Sequence, residues 1–175
     1  MTSLFKYVSP VGTLCIAADH QAVTGLWIDG QKYFGATLGM DVKENYLPVF
    51  DAVRTWLDTY FAGACPAFLP PLAPQGSPFR QAVWKLLLEI PYGETTTYGA
   101  LAEQLRKSGI SAAAQAVGGA VGHNPISILI PCHRVVGAGG SLTGYAGGVA
   151  VKRKLLELEG ADMTGLYTPK QGTAL

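Results

Sequence analysis

The sequence predicts an α/β N-terminal domain joined to a mainly α C-terminal domain that contains a helix-turn-helix. Three observations carry this prediction. Short β-rich runs separated by turn residues fill the first third of the chain, a proline-rich stretch interrupts all periodicity near the middle, and helical spacing dominates the remainder. The domains are expected over residues 1–72 and 73–175. Nearly half of the 175 residues are apolar, enough for a core in each domain.

Leu4 to Val8, Thr13 to Ala18 and Val23 to Ile28 are β-rich runs separated by Pro10–Gly12 and Asp19–Gln21, the pattern of a small antiparallel sheet. Phe50, Val53, Trp56, Leu57 and Tyr60 recur at helical spacing, which predicts a helix over Val49 to Phe61 with Gly63 just past its end. Trp27, Trp56 and Trp84 are assigned to the cores. Cys65 to Pro78 holds five prolines, and so restricted a backbone predicts a packed connection instead of a flexible tether.

Ser77 and Pro78 suit an N-cap and first turn, followed by an apolar stripe of Phe79, Val83, Leu86, Leu87 and Ile90 until Pro91. Thr97 can cap a second helix through Leu105, ended by Gly109. Ser111 can cap a third, from Ala112 to about Val121, and the pair fits a helix-turn-helix. The third helix contains only Ala, Val, Gly and Gln115. Gly118 and Gly119 each cost roughly 1 kcal/mol relative to alanine, so a close approach to another surface must compensate. Ile126 to Ile130 reads as a buried strand ending at Pro131. Val149 to Glu159 has helical spacing with Val151, Leu155 and Leu158 expected inside, Gly160 as its stop, and Lys152, Arg153 and Lys154 on a solvated face.

Charge and cysteine usage narrow the function. Net charge is only +1, but residues 1–75 carry four basic and six acidic side chains, whereas residues 76–160 carry eight basic and five acidic. The later region is the better nucleic-acid face. No apolar run approaches the ~20 residues that span a bilayer, and Met1 to Lys6 lacks the features of a secretory signal, so a cytoplasmic protein is expected. Three cysteines cannot all pair and are read as reduced thiols. Cys15, His20 and Cys65 form no zinc ligand set, and no metal is expected. Gly137 to Gly148 does not fit the GxGxxG spacing and no Walker lysine motif occurs, so no cofactor is expected. That glycine-rich stretch reads as a pocket wall whose amides and carbonyls face a flat polar ligand.

The chemistry concentrates in IPCHRVVG, Ile130 to Gly137. A free cysteine is only a few per cent thiolate at neutral pH, and an imidazole beside it is the simplest way to raise that fraction. Cys132 and His133 therefore have the composition of an activated nucleophile. Adjacent residues point their side chains apart, so the pair alone also fits a buried structural cysteine.

With Gly122-His123-Asn124-Pro125 before it, Gly144-Tyr145-Ala146-Gly147-Gly148 after it and Leu155 to Gly160 beyond, this stretch resembles the O6-alkylguanine-DNA alkyltransferases from about Ser77 to Gly160. The resemblance implies a ribonuclease-H-like fold without nuclease activity for the N-terminal domain and a winged-helix type of helix-turn-helix for the C-terminal one. It implies irreversible transfer of an alkyl group from guanine O6 to Cys132, with His133 taking the thiol proton through a water and Glu159 orienting the imidazole. Tyr98 would donate toward the base. Val135, Tyr145, Ala146 and Gly147 would line the base pocket, Ala146 with its amide alone where many relatives have serine. Asn124 would be the hinge between the DNA-binding helix and the active-site backbone.

The DNA contacts implied are Thr97, Ala113, Ala114, Gln115, Gly118 and Lys152, with the small-residue helix in the minor groove. Relatives fill the gap left by the extruded base with an arginine; this chain has Gln115, without the charge and planar fork, so a weaker hold on the flipped state is expected. The partner is double-stranded DNA carrying O6-alkylguanine, with O4-alkylthymine an open second substrate, and the chain is expected to act as a monomer. Three other readings stay open at this stage: a protein that binds lesions without repairing them, a helix-turn-helix regulator sensing through Cys132, and a cysteine hydrolase.

Overall fold

A computed structural model describes residues 1–170 of the chain. It divides into two compact units, Met1–Gln75 with Pro125–Leu129, and Gly76–Asn124 with Ile130 onward. The expected boundary between 72 and 73 lies just before this division, and Pro125–Leu129, expected in the second domain, joins the first.

In the first unit, β1 (Thr2–Ser9) and β2 (Gly12–Ala18) form a hairpin closed at Ser9 opposite Gly12, and β3 (Val23–Ile28) pairs antiparallel with β2. A short β4 (Val42–Glu44) adds in parallel to the other side of β1, giving the order β3-β2-β1-β4. Three residues, two of them charged, carry no strand pattern, which is why β4 is not expected from sequence. Helix α1 (Val49–Phe61) buries the five side chains its spacing selects. Phe5 of β1 stacks on Phe50 at 5.4 Å.

The proline-rich connection is packed, as expected. Val23 donates to the Pro71 carbonyl and accepts from the Ala73 amide, both at 2.8 Å. Further along the same edge, Leu26 donates to Pro125 O and accepts from Ser127 N. Two returning segments thus cover an edge that would otherwise stay open.

The strand expected over Ile126–Ile130 is not there. Ile128 has φ +72, and the Leu129 amide reaches back to Ser127 O at 2.8 Å, so the chain folds through a tight γ-turn. A short apolar run reads alike whether it is a strand or a folded segment buried on every side, and all five residues here are buried.

The second unit contains α2 (Pro78–Leu88), α3 (Tyr98–Lys107), α4 (Ala114–Gly122) and α5 (Val149–Leu158). The Ser77 hydroxyl accepts from Arg80 N, and that of Thr97 from Ala100 N, so both expected caps form. Trp84 of α2 donates to Ala120 O of α4 at 2.8 Å. The expected Ser111 cap does not form: Ala113 is the N-cap of α4 and no side chain caps it. Arg106 instead holds the incoming loop through Ala112 O at 2.8 Å.

Two further differences position the site. Strands β5 (Thr96–Thr97) and β6 (Val135–Val136) pair in parallel, bringing the start of α3 beside the residues that follow Cys132. Helix α5 buries Lys152, Leu155 and Leu156, with Glu159 just past its end also buried, so its inner face differs from the expected Val151, Leu155 and Leu158.

Candidate active site

Cys132 opens a single 3₁₀ turn, Cys132–Arg134. Pro131 ahead of it has φ −81 and ψ 63, and the Cys132 amide donates to Ile130 O at 2.8 Å, an inverse γ-turn. The Asn124 side-chain amide donates to the same carbonyl at 2.9 Å. Asn124 follows α4 within two residues, so one side chain ties the end of the small-residue helix to the backbone that presents the thiol.

Burial pushes the Cys132 thiol up, and the side chain is only 4% exposed. The Asn124 amide, the Lys152 ammonium and the backbone N–H groups of Cys132 and His133 pull the other way. What opposes burial and supports the thiolate is a set of dipoles and a lysine, not a charged imidazole. His133 is wholly buried and its pKa is lowered, chiefly by that burial and against the pull of Glu159, so it is neutral at physiological pH. Its Nε2 lies 2.5 Å from Glu159 Oε2. An ionised carboxylate only accepts, so Nε2 carries the proton and Nδ1 is the basic nitrogen.

Glu159 is held on both oxygens. Oε1 accepts from Arg134 Nε at 2.8 Å and from the Gly93 amide at 3.1 Å. Burial alone would push the carboxyl up, but His133 and Arg134 outweigh it and hold it down at about 2. Arg134 completes its contacts with Ile90 O at 2.7 Å. A buried arginine requires such partners, and none was expected from sequence; the signal was a cation inside an otherwise apolar IPCHRVV run.

Lys152 is a correction. It was expected on the solvated face of α5 as a DNA contact, but it is fully buried and cannot meet a phosphate. Its Nζ donates to Val135 O and, at 2.8 Å, to Thr143 O. Burial lowers its pKa to about 8, while Cys132 pulls it back up. Tyr98 lies on the same cluster: its hydroxyl donates to Thr143 O at 3.0 Å, and burial followed by the nearby Cys132 charge pushes its pKa up. Thr143 therefore organises two groups around the sulfur, a role carried by its backbone and so invisible in its side chain.

The remaining expected residues fall into two places. Val135 and Tyr145 are buried and Ala146 and Gly147 half-buried, with the Tyr145 ring edge-on to His133 at 6.5 Å. Ala113, Ala114 and Gln115 are exposed at the uncapped start of α4. Thr97 spends its hydroxyl on capping α3. Gly118 is half-buried, and a Cβ there would sit 3.8 Å from the Tyr98 ring. Among the described residues no group of three His, Cys, Asp or Glu side chains is placed to hold a metal.

Residues 78–161 match the family model described as 6-O-methylguanine DNA methyltransferase, DNA binding domain. A methylated-DNA–protein-cysteine methyltransferase of Haemophilus influenzae is 46% identical over 162 residues, 91% of this chain and 88% of that protein. One of Methanosarcina acetivorans is 41% identical over 89% of this chain and 96% of its own length. Among solved structures, Mycobacterium tuberculosis OGT in complex with DNA superposes with a TM-score of 0.77 at 44% identity, covering 90% of this chain and 91% of that one.

Proposed function

Because the chain belongs to the methylated-DNA–protein-cysteine methyltransferase family, we infer that it repairs DNA by moving an alkyl group from guanine O6 onto its own Cys132. The observation that carries this reading is the buried cluster around the sulfur: the Asn124 amide, the Lys152 ammonium and the backbone N–H groups of Cys132 and His133 all pull the thiol pKa down against burial, with the His133–Glu159 pair alongside. Such a cluster offsets part of the cost of forming a sulfur anion away from water.

His133, neutral and with Nδ1 basic, takes the thiol proton through a water, and Glu159 stabilises the imidazolium that results. The thiolate attacks the saturated carbon on O6. The S–C bond forms, the C–O6 bond breaks, and the electron pair leaves with the guanine, which the proton removed from the thiol neutralises. Tyr98 exchanges Thr143 O for the base as it enters, and the Ala146 amide supports the developing charge on O6. No residue can cleave a thioether, so each molecule acts once.

A stacked base cannot reach a thiol that is 4% exposed, so the lesion is flipped out of the duplex. The exposed, small-residue start of α4 suits the minor groove, and Gln115 there is the residue that occupies the vacated stack. The reading takes double-stranded DNA carrying O6-alkylguanine as substrate and a monomer as the acting species, with O4-alkylthymine left to the same assay. Support for a ribonuclease-H-like first domain comes from its sheet order and single helix, and for a winged-helix second domain from the short β5–β6 pair beside α3. The three free thiols suit a reducing, cytoplasmic compartment.

The test is DNA with labelled O6-methylguanine. Label should appear on Cys132, saturate at one per protein, and vanish in Cys132→Ser. Continued release of repaired DNA beyond one equivalent overturns the reading.

A further inference from the structure

Beyond α5 the chain turns back along the glycine-rich stretch. Tyr167 donates its amide to Gly140 O at 3.0 Å and accepts from Leu142 N at 2.9 Å, and Ser141 and Tyr167 form a parallel bridge. Gly140 has φ +89, and a Cβ there would lie 2.1 Å from Gly165 O, so the two backbones meet at a point that admits only glycine. Leu142 is fully buried with Val136, Leu156 and Ala161, and Met163 and Leu166 pack on that cluster. Arg153 on α5 reaches the Thr168 hydroxyl at 3.3 Å. The Tyr167 side chain is half exposed, so its main chain makes the attachment.

The residue after Leu142 is Thr143, whose carbonyl holds both the Tyr98 hydroxyl and the Lys152 ammonium. We propose that Met163–Thr168 is a strap that fixes this wall of the alkyl-acceptor site, and that Leu166 and the Tyr167 backbone are positioning and specificity-determining residues which exclude larger alkyl groups. The inference rests on the alkyl-transfer reading above. The strap holds the wall through main-chain bonds at Gly140 and Leu142, the latter directly before Thr143, so loosening it lets Thr143 drift while Cys132, His133 and Glu159 keep their own contacts. A small methyl group depends on an unmoved wall to hold it against the sulfur, whereas a bulky benzyl group gains room when the wall recedes.

Leu166→Ala removes the apolar anchor, and Tyr167→Pro removes the donor to Gly140. Single-turnover transfer is measured for O6-methylguanine in DNA and for O6-benzylguanine as free base. Misplacement by a fraction of an ångström should slow methyl transfer by about tenfold, with benzyl transfer slowed less, so the benzyl-to-methyl ratio rises about threefold or more. A general loss of folded protein lowers both rates by one factor and leaves the ratio fixed, and that result overturns the inference, as do unchanged rates. Hydrogen exchange at the Leu142 and Tyr167 amides of the wild-type chain reads the strap independently of catalysis: both should be protected, and exchange at open-loop rates overturns it. Should the wild-type chain transfer neither group, the function reading fails and the specificity claim with it, while amide protection still reports on the strap.

Discussion

Glu159 is the residue on which the charge state of the site turns. Its carboxylate accepts from His133 on one oxygen and from Arg134 and Gly93 on the other. Its folded pKa of about 2 lies below the ordinary 4.5, so its contribution to stability is fully present above pH 4.5 and is lost as pH falls toward 2. A shift of that size corresponds to about 3 kcal/mol. Glu159→Gln removes this component and leaves Arg134 buried without a counter-charge, which at pH 7 costs about 3–5 kcal/mol. Urea unfolding should show the variant far less stable than the wild type at pH 7, with the gap narrowing by pH 3. An equal gap at both pH values would contradict the assignment. Alkyl transfer should also slow by about a hundredfold, because a neutral amide no longer stabilises the imidazolium.

At the scale of the elements, the exposed start of α4 makes the sharpest prediction. Gln115 offers a neutral amide where a charged, planar donor set would hold an orphaned base and its flanking phosphates better. Gln115→Arg should therefore tighten binding to lesion-bearing duplex by about 1 kcal/mol, roughly fivefold, and accelerate repair in DNA while leaving transfer from free O6-benzylguanine unchanged. Equal affinities for the two proteins would remove Gln115 from the flipping step. The elements themselves were largely legible: the helices form close to their expected bounds because apolar spacing and the Ser77 and Thr97 caps are local signals. What local signals cannot supply is a face chosen against hydropathy. Helix α5 buries Lys152 because two backbone carbonyls and a thiol await its ammonium, and no pattern in the helix itself announces them. Likewise, the segment that holds the γ-turn is anchored by Pro125 O and Ser127 N on the Leu26 amide and carbonyl, a hundred residues away in the chain, where no local pattern points.

Across the whole molecule, charge was the weakest guide to the partner, and the structure explains why. Of the eight cations in residues 76–160, Arg134 and Lys152 are buried in the site. Arg106 and Arg153 are already paired with Glu103 and Glu157. Few surface cations are left to meet phosphate, and the uncapped amides of α4, whose N-cap Ala113 offers no side-chain acceptor, are free to do so without any net charge. Binding should then depend only mildly on salt. Each phosphate neutralised contributes a slope of about −0.9 in log affinity against log salt, so about four contacts give a slope no steeper than about −4. Titrating the same lesion-bearing duplex at 50–200 mM salt checks this. A slope near −8 would mean that cations beyond these four also reach phosphate, from residues 1–75 or by release of Arg106 and Arg153 from their surface ion pairs, and the mild salt dependence expected from the second unit would then fail.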